Sequence, residues 1–132
     1  MAEERTYTLR EASALVGPLT EVLRAMRAAR AVLTDRSLVE VLARRAPANG
    51  GGEDGRAFAE AALSFSRGLA QISVWGVVVR DLDSGLCDFR ARRGERDVYL
   101  CWRLGEERIG YWHELGGGFQ GRRPLDDAFD AE

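Results

Sequence analysis

At Trp75 the spacing of the apolar residues changes. Upstream they recur every three or four positions, the repeat of a helix with one buried face. Downstream they alternate, the repeat of a strand. A chain that switches period once predicts an α+β protein with its helices first and its sheet second.

The helical part opens on "TLRE". Thr8 and Glu11 have the capping-box spacing, in which hydroxyl and carboxylate each satisfy a free amide at a helix start. Leu9, Ala12 and Leu15 follow on one face. Gly17-Pro18 predicts an interruption, then a long helix over 19–45 with a stripe of Leu19, Val22, Leu23, Met26, Leu33, Leu38, Val41 and Leu42. "TDRS" at 34–37 is the weak point of that stripe. "APANGGGEDG", residues 46–55, reads as a flexible loop. A further helix over 56–74 carries Phe58, Ala61, Ala62, Phe65, Leu69 and Ile72. Two long helices joined by one loop predict an antiparallel hairpin.

The second part predicts four strands over 76–82, 86–91, 97–104 and 108–115. The short turns "DSG", "RRGE" and "GEER" make them an antiparallel meander packed against the hairpin. In the first hairpin a three-residue turn with Gly85 left-handed opposes Arg80 to Asp88, Val79 to Phe89 and Leu82 to Leu86. A two-residue turn at Ser84-Gly85 would instead set Asp81 against Asp88, and like charges directly opposite destabilise. The chosen turn buries Val77, Val79, Cys87 and Phe89 together.

In the last hairpin a Glu106-Glu107 turn opposes Leu104 to Ile109, Trp102 to Tyr111 and Leu100 to His113 on the face toward the helices. Tyr99, Cys101 and Arg103 then lie on the half-exposed face with Glu114, Trp112 and Gly110, and Arg103 is expected over Trp112. Cys87 and Cys101 fall on opposite faces and form no disulfide.

A chain of 132 residues suits one domain, organised as hairpin over 1–75, sheet and glycine-rich loop over 76–125, and acidic tail over 126–132. The formal net charge of −2 argues against general attraction to nucleic acid or anionic membranes. All 19 basic residues are Arg, which excludes lysine Schiff bases and lysine general bases. No apolar run reaches the roughly 18 residues of a membrane span. "MAEERTYTLRE" is too acidic and polar for a secretion signal. A cytoplasmic protein with free thiols is expected.

Residues 98–125 concentrate two tryptophans, two tyrosines, the one histidine and six glycines. Cys87, Cys101 and His113 lack the paired spacing of a zinc motif, and the expected register separates them, so no metal site and no cofactor are predicted. For the same reason Cys101 is not placed as a nucleophile beside His113, which reads as a hydrogen-bonded structural histidine. The segment 116–121 formally fits GxGxxG, but Pro124 argues against the helix a dinucleotide fingerprint needs. The plainer reading is a sharp glycine-rich turn that anchors Phe119 in the core. Exposed backbone amides beside Arg122 and Arg123, with Arg103, Glu106 and His113 nearby, make a candidate anion site. Against it stands a simpler role for the two arginines, bridging to the acidic tail. Asp81, Asp83 and Asp88 are a candidate for a divalent cation and, equally, ordinary turn residues.

"YTLREASALV", "GVVVRDLDSGLCDF", "VYLCWRLGE" and "YWHELGGGFQGRRPL" together closely resemble the bacterial domain-of-unknown-function family 2203. The resemblance covers essentially the whole chain. Cys87 stands where the family pattern has valine, which favours packing over metal ligation, and Arg90 stands where it has proline. The resemblance implies a fold and a set of motif residues, and no reaction. The residues themselves leave two readings. One is a non-enzymatic binding or interaction module that self-associates through its Ala-rich helices. The other is a small enzyme or ligand-binding domain with a phosphate or carboxylate site built by Arg103, Glu106, His113, Arg122 and Arg123. Nucleic-acid binding is the weakest option.

Overall fold

The computed structural model describes residues 5–49 and 52–129. Three helices, α1 (Leu9–Leu33), α2 (Arg36–Asn49) and α3 (Gly52–Trp75), precede the sheet. Its strands are β1 (Val78–Asp81), β2 (Leu86–Arg93), β3 (Arg96–Arg103), β4 (Tyr111–Glu114) and β5 (Arg123–Pro124). All neighbours are antiparallel, in the order β1-β2-β3-β4-β5. The fold is α+β, with five strands where four were expected. β5 is two residues long, too short to show an alternation, and its proline sits on a sheet edge where a missing donor costs little.

The capping box forms as expected: the Thr8 amide donates to Glu11 Oε1 at 2.9 Å and the Glu11 amide to Thr8 Oγ1 at 3.0 Å. The break expected at Gly17-Pro18 does not occur, and α1 runs through Pro18. Proline removes one helical bond, here to the Ala14 carbonyl, and both residues are exposed, so the lost bond falls on a solvent-facing side. The expected helix over 19–45 breaks instead inside "TDRS". Asp35 Oδ1 accepts from the Leu38 amide at 3.2 Å and so caps the start of α2. The loop expected over 46–55 is largely helical. α2 continues to Asn49 and α3 starts at Gly52, with Glu53 and Asp54 in its first turn, where acidic residues favour helix initiation.

The chain divides into two compact units, Val22–Gln71 and Met1–Glu21 with Ile72–Glu132. In the first, Leu23, Met26, Ala29 and Ala61 are buried. There α1 and α3 approach so closely that a Cβ on Gly68 would stand 2.3 Å from Met26 Cγ. In the second, the core comprises Leu19, Val77, Cys87, Phe89, Ala91, Val98, Leu100, Trp102, Ile109, Trp112 and Phe129. Tyr7 adds a parallel bridge to Ala91 and packs edge-on against Phe89 at 5.4 Å.

Both hairpin registers differ from expectation, with different consequences. Between β1 and β2, Val78 faces Asp88 and Val79 faces Cys87, after which Arg80 forms a bulge and Asp81 faces Leu86. The shift is by two residues, so Val77, Cys87 and Phe89 are buried as expected, while Val79 is only half-buried. The bulge aims Arg80 at Asp88, and the expected pair forms at 2.8 Å.

Between β3 and β4 the shift is by one. Tyr99 faces His113, Leu100 faces Trp112 and Cys101 faces Tyr111. The connection spans residues 104–110 rather than a two-residue turn. Glu106 holds it by accepting the Arg103 amide at 2.7 Å, while its carbonyl accepts Trp102 Nε1 at 3.0 Å. A one-residue shift exchanges faces. Trp112 joins Leu100 and Trp102 on one face, and His113 joins Tyr99, Cys101 and Asp88 on the other.

Within the acidic tail, residues 126–129 are described. Asp126 pairs with Arg93, and Phe129 is buried with its ring 6.0 Å from that of Trp112. Residues 130–132 lie outside the described residues. Cys87 and Cys101 are free, as expected; Cys87 is buried as expected, whereas Cys101, placed by the sequence on the half-exposed face, is buried as well.

Candidate functional site

The face exposed by this register carries a polar centre. Asp88, Cys101 and His113 are each at most 1% exposed. Asp88 comes from β2, in "LCDF", where an acidic residue alternates with buried Cys87 and Phe89. Cys101 and His113 come from β3 and β4. Asp88 Oδ2 accepts Arg80 Nε at 2.8 Å, and Asp88 Oδ1 lies 3.0 Å from His113 Nε2. The Asp88 carboxylate holds the Arg80 guanidinium above its ordinary pKa through that bond. The ring of Tyr99 lies 5.5 Å from that of His113 at a 48° tilt, and Arg80 lies over Tyr99 at 5.0 Å.

The hydrogen bonds of His113 restrict its chemistry. Nδ1 contacts the Glu114 carbonyl oxygen at 2.7 Å. That oxygen only accepts, so Nδ1 carries the proton. A neutral ring then has a bare Nε2 facing a carboxylate oxygen, two acceptors together. The contact therefore calls for a shared proton or a metal ion between the two atoms. Cys101 is set against the same carboxylate. Burial first, and the Asp88 charge second, push its thiol up to about 12.

Above this centre lies an open cup of about 300 Å³. It is lined by Asp88 and His113 together with Arg80, Leu86, Leu115 and Phe119. Gly116 and Gly118 complete the wall, and Gly118 adopts φ 62, a left-handed turn. Phe119 is 44% exposed and Leu115 43%, so the expected anchoring of Phe119 in the core does not occur.

Four of the five expected anion-site residues lie on or beside this face. Arg122 pairs with Glu106 at 2.8 Å and reaches the Cys101 carbonyl, with its guanidinium over Tyr111 and Phe119. Arg103 does not lie over Trp112. It sits 5.7 Å from the ring of Phe119. Arg123 is the exception. It pairs opposite Trp112 and lies over that ring at 5.2 Å, on the other face, where Arg93 also stacks at 4.8 Å. The bridge from Arg122 or Arg123 to the acidic tail is not formed among the described residues; Arg93 takes Asp126.

Asp81, the last residue of β1, accepts Ser84 Oγ and the Asp83 amide and so holds the turn that contains Asp83. Arg80, Leu115 and Phe119 were not expected in the cup, and Asp88 was not expected beside His113. A lone aspartate between two core residues was the available signal.

These features define an α+β protein with a buried Asp–Cys–His centre beneath an open, arginine-bordered cup. The match to a family model runs over residues 5–125 and takes in every residue of that centre. The chain belongs to the family described as uncharacterized conserved protein DUF2203. No curated protein and no solved structure matches it. No helix among the described residues is long and apolar enough to cross a membrane.

Proposed function

We propose that the chain is a binding module for a small organic anion carrying an apolar body, taken into the cup on the histidine face. The observation that carries this reading is the combination in one depression of exposed apolar wall, from Leu115 and Phe119, with Arg80, which is 43% exposed. Exposed apolar side chains around a concave polar floor are the usual make-up of a small-ligand site. Arg103 adds charge beside Phe119 and forms no ion pair among the described residues. Arg122 is committed to Glu106 and serves to fix the rim.

Amide chemical-shift mapping of the full chain, titrated with benzoate and with inorganic phosphate, tests this. Benzoate should move Gly116, Gly118, Phe119 and His113, and Arg80→Gln should weaken it several-fold. Shifts confined to other residues, or none at millimolar benzoate, would remove the reading.

A second reading, self-association, has its own observation. A groove of about 410 Å³ in the helical unit is lined by Val22, Ala25, Leu63 and Gly68, with Glu60 and Arg67 on the same surface. Leu63 is 51% exposed. A second copy related by a two-fold axis would set each Glu60 against the other Arg67. Light scattering at high concentration should give a dimer that Leu63→Glu dissociates; a strict monomer would end this reading.

A further inference from the structure

We propose that Asp88, Cys101 and His113 bind a thiophilic divalent transition metal, zinc being the closest fit. Their ligand atoms, Asp88 carboxylate oxygen, Cys101 Sγ and His113 Nε2, all lie within 4.8 Å of one another. A tetrahedral zinc ion with bonds of about 2.0 to 2.3 Å holds its ligands roughly 3.3 to 3.6 Å apart, so small side-chain adjustments close the site.

The donor set also fits. One thiolate, one imidazole and one carboxylate match zinc and its neighbours better than magnesium or calcium, which prefer oxygen. The orientation of His113 is a second, independent observation. Metal-bound histidines commonly donate the other ring N–H to a carbonyl or carboxylate, which turns the free nitrogen toward the ion. Here Nδ1 donates to the Glu114 carbonyl, and Nε2 faces Asp88 Oδ1 with no proton of its own in the neutral ring. A divalent cation resolves that meeting of acceptors and takes the thiol as thiolate, releasing its proton to solvent on binding.

Two of the three ligands, Asp88 and His113, also line the cup. The fourth coordination position would therefore open into it, the arrangement of a zinc site that accepts an outside ligand. The Arg80 guanidinium stays on Asp88 Oδ2, leaving Oδ1 for the metal. Cys87 lies on the opposite face of the sheet and takes no part. The proposal does not depend on the anion reading, because the three ligands are in place whatever the cup holds.

Cobalt(II) titration of the full chain, stripped of metal beforehand, is the test. Cobalt should bind at one equivalent and give a thiolate-to-metal charge-transfer band together with intense tetrahedral visible bands, and zinc should displace it. The band should persist in Cys87→Ser and vanish in Cys101→Ser. Failure to bind cobalt, an octahedral spectrum without the thiolate band, or a band lost in Cys87→Ser and kept in Cys101→Ser would each overturn the proposal. If Cys101→Ser does not fold, the wild-type and Cys87→Ser spectra still decide. Benzoate mapping on metal-free protein separates this result from that of the anion reading.

Discussion

His113 Nε2 and Asp88 Oδ1 lie 3.0 Å apart, and both side chains are only 2% exposed. The pair joins β2 to β4 across Cys101 of β3, so it couples three strands through polar groups rather than apolar packing. Cutting it should cost more than removing an exposed ion pair. Asp88→Ala leaves Arg80 without its acceptor and His113 Nε2 without its buried partner. The expected loss is about 1 to 3 kcal/mol, the range for leaving a buried polar group without its hydrogen-bond partner. Urea unfolding of both proteins measures it; a loss below about 1 kcal/mol would place the pair in effective contact with water.

The turn before β2 is fixed by a close approach. Gly85 has φ 71, and a Cβ there would stand 2.3 Å from Leu104 Cβ. Gly94 has φ 64 and open space around it. Gly94→Ala should therefore cost only the left-handed backbone strain, about 1 to 2 kcal/mol. Gly85→Ala should cost at least about 1 kcal/mol more, because Leu104 must move as well. Equal losses by calorimetry would mean that Leu104 gives way freely.

Both thiols are pushed up to about 12, chiefly by burial and secondarily by the Asp88 charge. In the unfolded chain they ionise nearer their ordinary value of 9.0. Between those limits the unfolded state holds fewer protons, so stability falls as pH rises. The thiol contribution is complete below pH 9 and disappears progressively toward about 12. Iodoacetamide at neutral pH should modify neither cysteine in the metal-free native chain and both in urea. Native labelling at the unfolded rate would show that the thiols are accessible.

On the acid side two exposed carboxylates lose their partners. Backbone hydrogen bonding from Thr8 lowers the pKa of Glu11, and the Arg93 guanidinium lowers that of Asp126. Each stabilises the fold above the ordinary carboxylate range, and that stabilisation is lost as pH falls through the depressed native value. Melting temperature followed from about pH 6 to about pH 3 should decline, and less steeply in Glu11→Gln. An unchanged slope in the variant would separate the capping box from acid unfolding.

The class of fold was legible because it rests on periodicity. The switch at Trp75 separates helix from sheet, and the capping box at Thr8 and Glu11 marks the start of α1 to the residue. Helix breaks were less legible. Gly17-Pro18 and "TDRS" both look like interruptions, and only the second becomes one. Asp35 there can cap a new helix, whereas the proline at 18 sits on a solvent-facing side.

The candidate site was half legible. The first hairpin survived a wrong register because a two-residue shift keeps each side chain on its face. The last hairpin did not, because the Glu106 carboxylate folds residues 104–110 into a longer connection that no turn dipeptide announces. That one-residue difference moves His113 to Cys101 and Asp88. It also moves Trp112 and Arg123 to the other face and brings three side chains able to ligate a metal within reach of one another.

The pairing of β3 with β4 therefore decides the account. In a nuclear Overhauser spectrum of the full chain, backbone cross-peaks should link Tyr99 to His113 and Cys101 to Tyr111, and the His113 ring should contact the Cys101 β-protons. Cross-peaks linking Leu100 to His113 and Trp102 to Tyr111 would contradict it and disperse the Asp88, Cys101 and His113 centre to opposite faces of the sheet.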